Sequence, residues 1–208
     1  MQLADRARPT GARALLTGLA LMLLVPLLSA CGINAIPTYQ EQARAAWAQV
    51  ENQYQRRSDL IPNLVETVKG FAAQEREVLT AVVEARAKAT QTQINADQLT
   101  DPAAVQKFQA AQDELSGALS RLLVTVEAYP ELRSNQNFLA LQSQLEGTEN
   151  RISVARRDYI EAVRVYNTEL RTIPGRWIAA IFYSDAEPMQ PFTATAGSAT
   201  PPTVNFGN

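Results

Sequence analysis

The chain has 208 residues, 46% of them hydrophobic and 19% charged, with a formal net charge of −2 and no histidine. That length suits one domain with its own core, and the composition excludes collagen-like, mucin-like and wholly disordered chains. Without histidine, Ser-His-Asp and Cys-His triads, His-bearing zinc sites and the Glu-x-x-His di-iron pattern cannot be built. No basic run tracks a phosphate backbone, so nucleic acid is not expected as a partner.

Residues 1–30 read as a lipoprotein signal peptide: Arg6, Arg8 and Arg13 form a positive n-region and residues 14–28 an apolar stretch. Leu28-Ser29-Ala30-Cys31-Gly32 then resembles the bacterial lipobox, in which the cysteine is acylated and becomes the new N-terminus. Each buried methylene contributes ~0.8 kcal/mol, so the several acyl chains of a lipoprotein hold a body on a membrane lastingly where one chain would not. The competing reading is an uncleaved anchor, because residues 14–33 are apolar over ~20 positions, the length that crosses a bilayer. Cys31 is the only cysteine, so no disulfide staples the fold. Cleavage before Cys31 removes three arginines against one aspartate, Asp5, and leaves a more acidic body tethered by residues 31–37. Glycine rather than aspartate after the cysteine resembles outer-membrane sorting in Gram-negative lipoproteins. The expected address is the extracytoplasmic side of a bacterial envelope: the outer membrane if the cell is Gram-negative, otherwise the cell membrane.

Residues 38–173 carry an all-α signature. The stretch is rich in alanine, leucine, glutamine and glutamate, with glycine only at Gly70, Gly117 and Gly147. Tyr39, Ala43, Trp47, Val50 and Tyr54, then Ile61, Val65, Val68, Ala72, Leu79 and Val82, recur at helical spacing. Three readings compete in this first part: a new start at Ser58-Asp59, with Asp59 as N-cap and Pro62 in the first turn; a turn at Gly70, against which the apolar spacing through to Val82 argues; or an unbroken but kinked helix, which would leave three helices instead of four. The next helix opens at Asp101-Pro102, an N-cap followed by a proline whose missing N–H costs nothing there, and closes at Tyr129-Pro130. Its apolar face is Val105, Phe108, Leu115, Leu119, Leu122, Val126 and Tyr129, with Gln112 filling one polar step. The last helix is expected from Ser134 or Asn135 to about Thr172, burying Phe138, Leu141, Leu145, Ile152, Ala155, Tyr159, Ala162, Tyr166 and Leu170. At ~1.5 Å per residue it is too long for one average partner. The short connections at 92–100 and 130–133 make neighbours antiparallel, so the expected fold is an antiparallel four-helix bundle of long helices.

Residues 174–185 form a short apolar segment containing Trp177-Ile178-Ala179-Ala180-Ile181-Phe182-Tyr183. It reads as a helix capping the open end of the bundle or as a membrane-dipping or partner-docking segment. Residues 186–208, rich in Pro, Thr, Ala and Gly, read as a disordered tail.

Two blocks carry a family resemblance. The first runs from Arg56-Arg57-Ser58-Asp59-Leu60-Ile61-Pro62-Asn63-Leu64-Val65-Glu66 to Ala72. The second comprises Tyr129-Pro130-Glu131-Leu132, Asn137-Phe138, Leu141-Gln142, Gly147-Thr148-Glu149-Asn150-Arg151-Ile152, Ala155-Arg156-Arg157-Asp158-Tyr159 and Val165-Tyr166-Asn167. With the ending Pro201-Pro202-Thr203-Val204-Asn205-Phe206 they resemble the LemA family over nearly the whole chain after Cys31. The resemblance implies a bacterial helical bundle tethered by its N-terminal segment outside the cytoplasmic membrane, with no established enzyme activity. It also implies a partner of the kind often encoded beside such proteins, a TPM-domain membrane protein or a membrane metallopeptidase. The family tether is commonly a transmembrane helix, so the lipobox is a departure. A second departure is Gln74, where the usual pattern has histidine before Glu75.

Asp59, Asn63 and Glu66 fall at i, i+4 and i+7, near Arg57 if the chain turns at Ser58, and Glu149, Asn150 and Arg157 or Asp158 form a similar polar set on the last helix. Together they read as a polar network that fixes helix register or as a surface for a partner or ligand. The carboxylate pairs Glu75 with Glu77 and Glu146 with Glu149 read as solvated helix-surface groups, and no compact loop of oxygen ligands for calcium or magnesium is present. No residue set names a catalytic centre, a metal site or a cofactor site. The expected function is that of a non-catalytic, membrane-anchored envelope lipoprotein, a helical scaffold or interaction module for a membrane complex. A sensor with a ligand cavity lined by Trp47, Tyr54, Tyr159 and Tyr166, or a signal-anchored single-span protein, is the alternative.

Overall fold

A computed structural model describes residues 32–193. The expected signal peptide of residues 1–30, Cys31 and residues 194–208 of the expected tail lie outside the described residues. In chain order the elements are α1 (Ala35–Lys69), α2 (Arg76–Gln91), a 3-10 turn (Ala96–Thr100), α3 (Pro102–Val126), α4 (Pro130–Arg133), α5 (Gln136–Arg171) and α6 (Gly175–Phe182). The antiparallel bundle is formed by the long helices α1, α2, α3 and α5. Among the described residues no helix is long and apolar enough to cross a membrane.

The caps explain where these helices begin. Asp101 accepts from the Ala103 N–H at 2.8 Å ahead of Pro102, and the Asn135 side chain accepts from the N–H groups of Asn137 and Phe138 at 2.9 and 3.1 Å. At the start of α1 the Thr38 hydroxyl donates to the Asn34 carbonyl at 2.6 Å. Because α1 opens at Ala35, Pro37 lies in its first turn, and the expected tether of 31–37 shortens to Gly32–Asn34 before the helix.

Helix α1 passes through Pro62 without a break and ends at Gly70, so the start at Ser58-Asp59 is not taken. Ser58, Ile61, Leu64 and Val68 continue one buried stripe across the proline. Pro62 has no N–H to donate to the Ser58 carbonyl; Arg86 Nε of α2 donates to that oxygen instead, at 2.9 Å. Past Gly70 the chain turns tightly, with the N–H groups of Phe71 and Ala72 both donating to the Val68 carbonyl, and Ala72 is buried before α2 opens.

Helices α1 and α5 pair along most of their length, α2 packs on α3, and the core divides into two clusters. In the lower half Ile61, Leu64 and Val68 of α1 meet Leu79 and Val82 of α2, Leu115 and Leu122 of α3, and Phe138 and Leu145 of α5. In the upper half Ile36, Trp47 and Val50 of α1 meet Val105 and Phe108 of α3 and Ile152, Tyr159, Val163 and Tyr166 of α5. Helix α2, 16 residues long against 35 and 36 for α1 and α5, contributes nothing to that upper cluster. Its place is taken by Ile94 and Leu99 of the connection and by Met189 and Phe192 from the C-terminal segment.

That last contribution corrects the expected disordered tail from 186. Residues 187–193 have no helix or strand of their own but are bound to the bundle, with Met189 and Phe192 buried. Composition misleads here because two apolar anchors and a set of backbone hydrogen bonds suffice to hold a short segment in a groove formed by other elements.

The apolar segment 174–185 contains a helix, α6, packed over the end of α5. The Ile173–Pro174 peptide bond is cis. A methyl group on Gly175 would stand 2.2 Å from the Glu169 carbonyl oxygen, so only glycine admits this close approach of α6 to α5. Ile178 and Ala179 face the bundle, whereas Ile173, Trp177, Ile181 and Phe182 are 60–73% exposed.

Candidate functional site

Arg57 is the centre of the polar network. It sits on α1 with 2% of its surface exposed, on the face that α3 and α5 cover. Nη1 donates to Ser116 Oγ at 2.8 Å and to Glu149 Oε2 at 3.1 Å; Nη2 donates to Gln112 Oε1 at 2.8 Å and to the Gln112 carbonyl at 3.2 Å. The guanidinium carbon lies 5.0 Å from the Tyr54 ring centroid. Gln112 reaches on to the Ala89 carbonyl of α2 at 3.5 Å, so one cation ties all four long helices. The two terminal nitrogens of the guanidinium carry all four of these bonds, while Nε is buried without a partner. The Glu149 side chain is half exposed, so the ion pair opens to water on one side.

The structure brings Arg57 and Glu149 together and leaves the other expected members apart. Asp59, Asn63 and Glu66 are exposed on α1; Gln55 donates to Asp59 at 2.7 Å, and Lys69 pairs with Glu66 at 3.5 Å. The reason is the unbroken helix: two residues on a helix turn the side chain by ~200°, so Arg57 inward puts Asp59 outward. Asn150 is exposed beside a cleft of about 380 Å³ between α1 and α5, and exposed Arg157 stands 3.8 Å from Asp158. The partners of Arg57 that sequence spacing missed are Gln112 and Ser116. Their one signal was Gln112, a polar residue on an apolar stripe.

A second polar arrangement, unforeseen in the sequence, holds the C-terminal segment. Asn167 donates to the Met189 carbonyl at 2.8 Å and accepts from the Met189 N–H at 3.0 Å. Gln109 does the same to Thr193, donating at 2.7 Å and accepting at 3.3 Å. Between them the Tyr159 hydroxyl donates to the Gln190 carbonyl at 2.9 Å and the Gln190 N–H donates to the Leu99 carbonyl at 2.8 Å. Two side-chain amides thus act as a neighbouring strand would. Phe192 stacks on Trp47 at 5.7 Å, and Arg156 covers its ring at 4.5 Å. Arg156, Tyr159 and Asn167 all belong to the second block of the resemblance, and holding this segment accounts for them.

Of the aromatic residues expected to line a ligand cavity, Trp47, Tyr54 and Tyr159 join one ring cluster with Phe108, and Tyr166 is buried in the same core. Trp47 meets Phe108 edge-on at 5.1 Å and Tyr159 at 5.2 Å, and Tyr54 meets Phe108 at 5.4 Å. Burial pushes the Tyr159 hydroxyl well above its ordinary value, so it is a neutral donor. An open cleft of about 270 Å³ runs between α1, α2 and α3, lined by Glu51, Tyr54, Ser58 and Gln112 among others. Burial raises the Glu51 carboxyl above the ordinary carboxylate range, opposed by the Trp47 indole N–H.

Of the expected carboxylate pairs, Glu149 pairs with buried Arg57, while Glu75 and Glu146 have partners at the helix surface. Glu75 accepts from the Tyr129 hydroxyl at 2.6 Å, Gln74 donates to that same hydroxyl at 3.0 Å, and Glu146 accepts from Gln142 at 3.0 Å. The Tyr129 hydroxyl is shifted upward, first by its bond to Glu75. Among the described residues no three Asp, Glu or Cys side chains gather as a metal-holding group.

Fold and site together define an all-helical bundle whose polar interior is arranged to hold helices and a C-terminal strap in register. The profile of the LemA family matches residues 46–206, and the chain belongs to that family. Among curated proteins it is similar to the magnetosome proteins MamQ 1 and MamQ 2 of Paramagnetospirillum magneticum and to MamQ of Magnetospirillum gryphiswaldense, 26% identical to each over 164 residues. Those alignments cover 71% of this chain and 60% of each relative, so the chain spans less than two thirds of their length.

Proposed function

We propose that this protein is a non-catalytic envelope lipoprotein, held on the outer face of a bacterial membrane by acyl chains on Cys31, whose bundle serves as a scaffold or interaction module for a membrane protein complex. The observation that carries the reading is how little chain separates Cys31 from the core. Helix α1 opens at Ala35 and Ile36 is already buried. Three intervening residues reach at most ~10 Å, so an acylated Cys31 holds the bundle against lipid and restricts it to what stands beside it in the same membrane. The proposed partner is a TPM-domain membrane protein or a membrane metallopeptidase. An interior filled by rings supports an interacting surface over an enclosed ligand, and relatives named for the magnetosome agree with service to a larger cellular structure.

The test is the intact mass of membrane-extracted protein, with Cys31→Ala as the control. The expected mass is that of a chain beginning at an acylated Cys31; the mass of the unprocessed chain overturns the lipid anchor. Crosslinking in intact cells followed by mass spectrometry is expected to capture a membrane protein, and capture of this chain alone counts against the scaffold.

A further inference from the structure

The least explained surface is α6. Four large apolar side chains, Ile173, Trp177, Ile181 and Phe182, are 60–73% exposed within ten consecutive positions, while Ile178 and Ala179 of the same helix pack on the bundle. Trp177 and Ile181 are one helical turn apart and stand on the same face, whereas Phe182, one turn after Ile178, is exposed as the last residue of the helix. Burial against the bundle therefore accounts for only one side of this helix. An outward apolar face of this size is covered by something in a working protein.

What covers it follows from where α6 lies. A methyl group on Gly32 would stand 3.3 Å from Ile178 Cδ1, so the backbone immediately after Cys31 runs against the inner side of α6. Tyr39 of α1 and Tyr183 at the end of α6 pack against the same cluster that buries Ile36, so the start of α1, the end of α5 and α6 share one end of the bundle. The apolar stretch 14–28 ends four residues before Gly32, a separation of at most ~14 Å. Whether the anchor is acyl chains on Cys31 or the stretch itself, lipid begins within that distance of α6. Arg171 and Arg176, neighbours of Ile173 and Trp177 in sequence, are exposed and so are Asp185 and Glu187, so the segment carries no net charge against a headgroup layer and its apolar side chains carry the argument.

We propose that α6 is an in-plane membrane-interface helix, with Ile173, Trp177, Ile181 and Phe182 seated at the headgroup boundary of the bilayer that holds the N-terminal anchor. The proposal rests on the membrane-anchored reading above and adds a second, side-chain contact with the same membrane. One anchor leaves a body free to swivel; two contacts at one end fix the orientation of its long axis.

The test uses the full chain, reconstituted in phosphatidylethanolamine and phosphatidylglycerol vesicles containing lipids brominated on their acyl chains. The two tryptophans differ usefully, since Trp47 is enclosed by Phe108, Tyr159 and Phe192. Bromolipid is expected to quench the emission of the wild-type chain, and Trp177→Phe to abolish that quenching while Trp47 still emits. Ile181→Asp, on the exposed face, is expected to reduce the quenching about threefold without altering the thermal midpoint. Trp177 emission that stays open to aqueous iodide in floated vesicles overturns the proposal and leaves the anchor standing. Emission indifferent to both quenchers means that protein covers the face, either residues 14–28 or a second copy, and likewise overturns it. A chain that does not float with the vesicles overturns both readings together.

Discussion

Arg86 Nε donates to the Ser58 carbonyl at 2.9 Å, the acceptor that loses its intrahelical donor because residue 62 is proline. A side chain from α2 thereby repairs α1 and couples the angle between these helices to a single backbone oxygen. Arg86→Met is expected to cost about 1–3 kcal/mol, because it leaves that carbonyl unsatisfied. In a Pro62→Ala background, where an N–H is restored at position 62, the same change is expected to cost less than ~1 kcal/mol. Urea unfolding of the four chains measures the coupling. Equal costs in both backgrounds would show that Arg86 acts on something other than Ser58.

Arg57 and Glu149 are unequal partners. Arg57 is buried and divides its donors among three residues, whereas the Glu149 side chain is half exposed. Arg57→Ala is expected to destabilise by about 3 kcal/mol, since it orphans Gln112 and empties a buried site. Glu149→Ala is expected to cost about 1 kcal/mol or less, because water and the remaining partners still serve the guanidinium. The reverse order in denaturant midpoints would refute this account of the node.

The C-terminal strap gives a local test. Asn167→Ala and Gln109→Ala each remove two hydrogen bonds to the strap backbone, at Met189 and at Thr193. Each is expected to cost about 1–2 kcal/mol, and amide hydrogen exchange should show the loss first at Met189, Gln190 and Thr193, before the helices respond. Uniform loss of protection across the bundle would argue against a separately held strap.

Gly175→Ala places a methyl group 2.2 Å from the Glu169 carbonyl and closer than 3 Å to the Glu169 side chain. The backbone is one of the colliding groups, so rotamer adjustment cannot relieve it, and a loss of about 1–3 kcal/mol in stability is expected. A variant as stable as the parent would mean that α6 has an alternative seat.

Glu51 supplies the pH dependence. Its carboxyl is held above the ordinary value of 4.5, chiefly by burial, so folding disfavours its charged form relative to the unfolded chain. That preference contributes fully below the ordinary value and is lost as pH rises through the folded one. Glu51→Gln removes the ionisation, so its advantage over the parent chain is expected to be small near pH 4 and larger near pH 7. Denaturant midpoints that keep a constant separation across this range would exclude the assignment.

Much of the bundle is legible in the sequence because its helices announce themselves locally. Asp101 and Asn135 cap where their residue types say they should, and the α3 face from Val105 to Val126 is buried as its spacing requires. Thr148 and Val163 join the α5 stripe while Leu141, Ala162 and Leu170 are only half-buried, the drift expected when a long helix meets several partners rather than one. What is not legible depends on distant residues. Pro62 looks like a helix start until Arg86, 24 positions later, is placed beside Ser58. The polar partners of Arg57 come from α3 and α5, not from the next turns of α1. Met189 and Phe192 are too few to show a periodicity, and their hydrogen-bonding groups belong to helices.

The strap also orders events in time. The lower cluster draws its buried residues from positions 61–145, so it can close once α5 is partly made. The upper one includes Met189 and Phe192, and a chain delivered N-terminus first exposes the Trp47 ring until those two residues arrive. The half of the bundle that holds the start of α1 is therefore the last to shut, and a nascent chain stalled before residue 189 presents an unfinished apolar seam there.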